Sequence, residues 1–379
     1  MSSRQRVSLL LCLAFLMTSA TMAVHAQSKV VRIGVFAPLS GSMAVAGQHQ
    51  NDGIRFAGDE INAAGGILGY KLEFVFEDDE GIPANTVNIM NKLLYRDKVV
   101  ATMGSNNSPS VLAVLDVIKR AQTPHIVPSG VAYAITHSGN PWVFRVTATD
   151  EVFTKKLVDY GVSELGFSKF AIIFDTNDYG QGGRDLVIKW LKGHGLSPVA
   201  VEGYNKETKD FTPQLMSIKN ASPQALIIWG NYTEGAQLVR QIRSMNLPFQ
   251  VMVSTGVTIG NFYELAGSAA DGIIGITGGW HPERSDARAV DFIERFKKAK
   301  GYVADMNVAC GYDAVMLLAK AMKEAGTVTD RAKIREALSK VTLDGITGKI
   351  AINENGDGGT EAILFRVKDG KPVLIQSKK

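Results

Sequence analysis

The chain has 379 residues, of which 45% are hydrophobic and 21% charged, values of a globular protein and not of a disordered one. That length exceeds one ordinary domain and suits two of about 150–200 residues. Lys+Arg at 41 against Asp+Glu at 37 leaves a formal charge of +4, too balanced to imply a nucleic-acid partner, and two cysteines, Cys12 and Cys310, exclude a disulfide-stapled scaffold.

The N-terminus reads as a targeting segment. Arg4 and Arg6 form a basic start, and Val7 to Met17 is an apolar run of eleven residues. Small and polar residues follow, ending Val24-His25-Ala26. This is the pattern of a secretory signal peptide cleaved after Ala26. A membrane span needs about 20 apolar residues, and no later stretch supplies them. Cleavage removes Arg4 and Arg6 and no acid, so the formal charge falls from +4 to +2. Only Cys310 remains.

From Val30 to Ala37 the chain reads as a buried, β-branched strand bounded by Pro38 and Gly41. A helix through Ile54 and Ile61 follows and ends at Gly65-Gly66. Lys71 to Glu77 is a second strand, a helix carries Val87, Met90 and Leu94, and Val99 to Met103 is a third strand. Ser108-Pro109 opens the next helix, and His125 to Val127 is a short fourth strand. Strands alternating with helices predict a parallel sheet with right-handed crossovers. The alternation restarts after Trp142 to Arg145: helix face Phe153, Leu157, Tyr160; strand Phe170 to Phe174; helix Val187, Trp190, Leu191. Val199 to Gly203, Ala225 to Trp229, Val251 to Ser254 and Gly272 to Thr277 follow as apolar strand-like segments. The tail holds helices marked by Phe296, Val315 and Ile334, Gly-rich turns at Asn355 to Gly359, and strands at Ala362 to Val367 and Val373 to Gln376.

Catalytic chemistry is thinly signalled. There is no G-x-S-x-G, P-loop or H-E-x-x-H pattern. Gly180, Gly182 and Gly183 cluster after a strand, but Asp185 stands where a dinucleotide fingerprint needs its third glycine. The histidines are scattered singly, against the clustering that a metal site needs. The acidic run Glu77 to Glu80 reads as turn and cap chemistry rather than a calcium loop. No cofactor is implied. In open α/β sheets ligands bind beyond the carboxyl ends of the strands. Here those ends are rich in Ser, Thr, Gly, Asn and Tyr, groups that suit a small ligand better than an acid–base pair.

Six segments carry a family resemblance: 33–41 (IGVFAPLSG), 59–69 (DEINAAGGILG), 77–87 (EDDEGIPANTV), 144–151 (FRVTATDE), 174–183 (FDTNDYGQGG) and 311–322 (GYDAVMLLAKAM). Each is loose alone, but their order and spacing are specific. The chain resembles the type I periplasmic binding proteins of ABC transporters, in the leucine/isoleucine/valine-binding branch. The resemblance implies two Rossmann-like α/β lobes with parallel sheets, joined by a three-crossing hinge. It implies discontinuous lobes, 27–145 with 279–358 and 146–278 with 359–379. It further implies a non-enzymatic, periplasmic monomer that partners an ABC permease in the membrane.

Pocket positions carry over where residues match. Ser108 falls where the family places a hydroxyl on the ligand carboxylate. It also reads as an N-cap with Pro109 at N1, which would turn a helix N-terminus toward the cleft. Ser129 and Gly130 match backbone-contributing positions, and Tyr179 and Tyr232 match aromatic walls. Val131 and Thr255 stand where amino-acid binders hold the ammonium, and neither brings a charge. Ala46 replaces a tyrosine and Asn307 an aromatic residue. The ligand implied is a small amino acid, or an amine-free carboxylate or amide; Glu207, Asp210 and Glu234 are the acids that would restore an ammonium site under a shifted register. A ligand-sensing module on the same fold and an exported enzyme are the alternative readings.

Overall fold

The computed structural model describes residues 29–375. The expected signal peptide and its cleavage site lie outside them, as do residues 376–379. The first lobe begins with β1 (Lys29–Ala37), α1 (Ala44–Ala63), β2 (Tyr70–Asp78) and α2 (Pro83–Asn91). It continues with β3 (Ala101–Met103), α3 (Ser108–Ala121), β4 (His125–Val127) and β5 (Val143–Arg145). The second lobe holds α4 (Asp150–Asp159), β6 (Phe170–Asp175), α5 (Asp178–Gly193), β7 (Ala200–Tyr204) and α6 (Thr212–Asn220). After these come β8 (Ala225–Trp229), α7 (Tyr232–Ser244), β9 (Gln250–Val253), α8 (Phe262–Ala266) and β10 (Ile274–Gly278). The chain then returns with α9 (Ala287–Lys300), α10 (Met306–Ala325), α11 (Arg331–Leu338) and the hairpin β11 (Thr342–Gly345) and β12 (Gly348–Ala351). It ends with β13 (Ala362–Lys368) and β14 (Lys371–Leu374) in the second lobe.

The first sheet has five strands in the order β2-β1-β3-β4-β5, all parallel. The second has seven, β14-β13-β10-β9-β8-β6-β7, parallel from β10 to β7 with β13 and β14 antiparallel at the far edge. Strands β6 and β8 are buried at every position. A parallel strand covered on both faces by crossover helices needs that unbroken apolar run. Helices α9, α10 and α11 pack into the first lobe: Phe292, Phe296, Leu317 and Ile334 share a core with Ile33 and Ile126. The chain therefore passes between the lobes after β5, after β10 and after β12.

The pairing of α1 with α10 depends on two glycines. A Cβ on Gly53 would sit 2.0 Å from the Val308 carbonyl oxygen, and one on Gly311 would sit 2.4 Å from that of Gln50. Only glycine lets the two backbones approach this closely.

The tail differs from the sequence reading in one respect. The β11–β12 hairpin, paired Thr342↔Ala351 to Gly345↔Gly348, lies ahead of the expected turns at Asn355 to Gly359, in a stretch for which the sequence suggests no strand. It is anchored by the buried Asp313 carboxylate, whose Oδ1 accepts the Ile346 N–H at 3.0 Å and whose Oδ2 accepts the Thr347 N–H at 2.9 Å. Burial pushes the Asp313 carboxyl up to about 6 against those donors. The acidic run does turn chemistry: Asp78 accepts the Leu39 and Glu80 N–H groups at 2.8 Å, and Asp79 accepts that of Gly81 at 2.9 Å. Among the described residues no helix is long and apolar enough to cross a membrane.

Candidate functional site

The carboxyl ends of the strands in both sheets face one another across a cleft, and the cleft is shut. Thr233 of the second lobe donates to the Ser42 carbonyl of the first at 2.8 Å. The Gly260 N–H donates across to the Asp305 carboxylate at 3.3 Å. Between the lobes lies a cavity of about 20 Å³, close to the space of a single water. A small acid needs more room, so the lobes must part to admit one.

Six of the nine predicted site residues line this cavity: Ser108, Ser129, Val131, Tyr179, Thr255 and Asn307. They come from the ends of β3 and β4, the start of α5, the end of β9 and the start of α10. The other three lie beside it. The carbonyl of Gly130 accepts from Arg145 Nη1 at 3.1 Å. Tyr232 and Ala46 pack together between the lobes, in a core shared with Val257.

Ser108 is not the cap of its helix. It was expected to be an N-cap with Pro109 at N1. The residue in cap position is Asn107, with φ −92° and ψ 103°, and Ser108 is the first residue inside α3. The Asn107 amide turns to the Ser110 hydroxyl at 3.0 Å instead of capping. The Ser108 hydroxyl accepts the Ala132 N–H at 3.2 Å, tying α3 to the loop after β4. The anion-binding character of the helix end remains, because its first N–H groups have no partner within the helix.

Ser129 donates to Asn307 Oδ1 at 2.7 Å, both groups buried. The Asn307 Nδ2 is buried without a partner, as is the Asn106 Nδ2 nearby. The Tyr179 hydroxyl also lacks a well-formed partner. Burial pushes that hydroxyl up to about 12, with Ser254 and Thr255 only partly opposing, so it stays a neutral donor.

Individual lining residues escaped sequence reasoning. Asn106, Asn231, Ile259 and Met306 line the cavity, the first two on loops already marked as strand ends. Asn231 is steadied by Asp175, 3.4 Å from its amide. Burial pushes the Asp175 carboxyl up to about 6. The lining carries no charged side chain. Glu207 and Asp210 are exposed and Glu234 spends its carboxylate on the Glu207 N–H at 2.9 Å, so none of the three acids held in reserve reaches the cavity. Another buried acid beside the cavity is Asp150, at the start of α4. Its N–H donates to the Val131 carbonyl at 2.9 Å, and both its carboxylate oxygens are buried without a partner. Burial pushes it up to about 7, although the Arg145 charge pulls the other way.

Comparisons with known proteins bear on the family of this chain. The model of a family described as "periplasmic binding protein" matches residues 30–372. An "amino acid binding protein" of Pseudomonas aeruginosa is 31% identical over 339 residues, 89% of each chain. A leucine-binding protein of Thermotoga maritima superposes with a TM-score of 0.85 at 27% identity, covering 92% of this chain and 98% of that one. A branched-chain amino acid transporter substrate-binding protein of Streptococcus pneumoniae, solved with isoleucine, superposes with a TM-score of 0.83 at 26% identity, covering 92% and 99%.

Proposed function

This chain belongs to the periplasmic binding protein family, and we propose that it is the extracytoplasmic substrate-binding protein of a branched-chain-amino-acid-type ABC importer. It takes a small amino acid, or a related carboxylate or amide, between two closing lobes and presents it to a membrane permease. The observation that carries this reading is a cavity built from both lobes at a helix N-terminus, lined with amides and hydroxyls and free of catalytic pairs. Such a site can hold an anion by hydrogen bonds from neutral donors, but it offers no nucleophile with an adjacent base.

The lobes act as the rigid units, 27–145 with 279–358 and 146–278 with 359–379, and close about the three crossings. Ligand stabilises a closed state, with the lobes drawn together around it, because only there do both lobes touch it. Export follows from the N-terminal pattern, with cleavage after Ala26 placing a monomer in the periplasm. Calorimetry against amino acids and their deaminated analogues tests the reading. One-to-one binding of a carboxylate or amide without product supports it, and turnover, or no binding across the panel, overturns it.

A further inference from the structure

Asn307 holds a buried amide in the cavity whose oxygen is already committed. It is 1% exposed, and its Oδ1 accepts the Ser129 proton at 2.7 Å. With the oxygen fixed there, the group facing the cavity is the Nδ2 pair, which has no partner. A buried donor left unmade costs free energy, and native proteins rarely leave one unless something else satisfies it. The Asn106 Nδ2, also unpartnered, lines the same cavity and adds a second donor. Asn106 directly precedes the cap of α3, where the ligand carboxylate is placed, whereas Asn307 stands on a different element, at the start of α10. The cavity therefore asks for a hydrogen-bond acceptor at the start of α10 as well as at the N-terminal end of α3.

We infer that Asn307 is a specificity-determining residue that reads a hydrogen-bond acceptor on the ligand's side chain, so that the ligand is a small acid or amide with a polar far end and not an aliphatic one. This rests on the reading of the cleft as a carboxylate or amide site. The physical asymmetry is large. An apolar pocket barely rejects a ligand that adds a polar group. A site built around a buried hydrogen bond rejects strongly the isostere that lacks it, because its own donor stays unpaired.

The test uses probes matched in shape and differing at the far end: leucine with asparagine, isocaproate with succinamate, and para-methylbenzoate with para-hydroxybenzoate. Each is titrated by calorimetry into the full mature protein and into Asn307→Leu, with Asn307→Ala as a second variant should leucine fail to pack. Melting curves confirm that the variants fold. The wild type is expected to bind the polar member of a pair about tenfold or more tightly than its apolar partner. Asn307→Leu should erase or reverse that order. Tighter binding of the apolar member by the wild type, or an order unchanged in both variants, overturns the role of Asn307 alone. Failure of every probe to bind the wild type overturns the carboxylate or amide reading itself, and this inference with it.

Discussion

Arg145 and Asp357 stand 212 residues apart in the chain and meet as a buried ion pair, Nε to Oδ1 at 3.0 Å. Arg145 ends β5, just before the first crossing between the lobes, and Asp357 lies just before β13 in the third. The same guanidinium donates to the carbonyls of Gly130 and Ala132, at 3.1 and 2.9 Å, and to the Thr136 hydroxyl. Asp357 also accepts from Thr136 at 2.7 Å. One side chain thus fastens two crossings to each other and holds the loop that carries Ser129 and Val131 into the cavity.

Replacing either member alone should leave a buried charge unpaired. Asp357→Ala and Arg145→Met are each expected to cost about 3–5 kcal/mol of stability. Urea unfolding of the mature protein measures it. A loss below about 1 kcal/mol would place the pair among surface-like bridges and remove its role at the hinge.

Ser108→Ala separates two roles. The variant leaves the Ala132 N–H without its acceptor, a buried loss of about 1–3 kcal/mol in stability. It also removes a hydroxyl from the anion site, which should weaken a carboxylate ligand by about 1.5–3 kcal/mol. Calorimetry on the folded variant reads the second effect alone. Unchanged affinity would move the carboxylate away from α3.

The lobe contact at Asp305 predicts a pH window. His49 Nδ1 lies 3.0 Å from Asp305 Oδ2, the oxygen that also accepts from Gly260 across the cleft. Burial pulls the His49 imidazole down, but the Asp305 hydrogen bond and the Asp305 and Asp52 charges outweigh it and hold its pKa above the usual 6.5. Burial pushes the Asp305 carboxyl up, yet His49 and the Val308 and Gly260 N–H groups bring it below the usual 3.8. A raised histidine contributes fully below its unfolded pKa and loses that contribution as pH rises through the folded one. A lowered carboxyl contributes above its unfolded pKa and loses that as pH falls through the folded one. Both are present between about 3.8 and 6.5. The difference in melting temperature between wild type and His49→Gln should be greatest there and shrink above it. A constant difference from pH 5 to 9 would exclude the pair.

Much of this frame was legible because it depends on runs of apolar residues. Strands β6 and β8 announce themselves by burial on both faces, and the helix end at Gly65-Gly66 sits at positive φ. The β11–β12 hairpin did not, because its inward residues are few, chiefly Ile350 with the half-buried Leu343. Its order comes from Asp313, which is distant in sequence. Ser108 was displaced by one residue from its cap, a shift that depends on the φ and ψ of Asn107 and not on residue type. The pairing of Ser129 with Asn307 spans 178 residues, and the Asp150 N–H is tied to Val131 on a loop of the other lobe, so neither is written in local pattern.

Whether the ligand carries an ammonium turns on Val131, Thr255 and Asp150. Val131 and Thr255 line the cavity and bring no charge to it. An ammonium buried there without a carboxylate costs several kcal/mol. The amine-free acid or amide is therefore expected to bind more tightly than the matching amino acid, and Thr255→Glu should shift preference toward the amine by placing a carboxylate in a water-poor cleft. Asp150 supplies the opposing outcome. Its carboxyl, pushed up to about 7 by burial, is partly protonated at neutral pH. An ammonium bound through it would need the ionised form, so affinity for the amino acid would rise as pH climbs through about 7 and would collapse in Asp150→Asn. An amine-free acid gains nothing from ionised Asp150 and is repelled by it, so its affinity should instead rise as pH falls from 8 to 6 and survive Asp150→Asn. Calorimetry of leucine with isocaproate and of asparagine with succinamate, across that range, distinguishes the two. The amino acid binding more tightly, with affinity climbing through pH 7, would sink the amine-free expectation and assign the ammonium to Asp150.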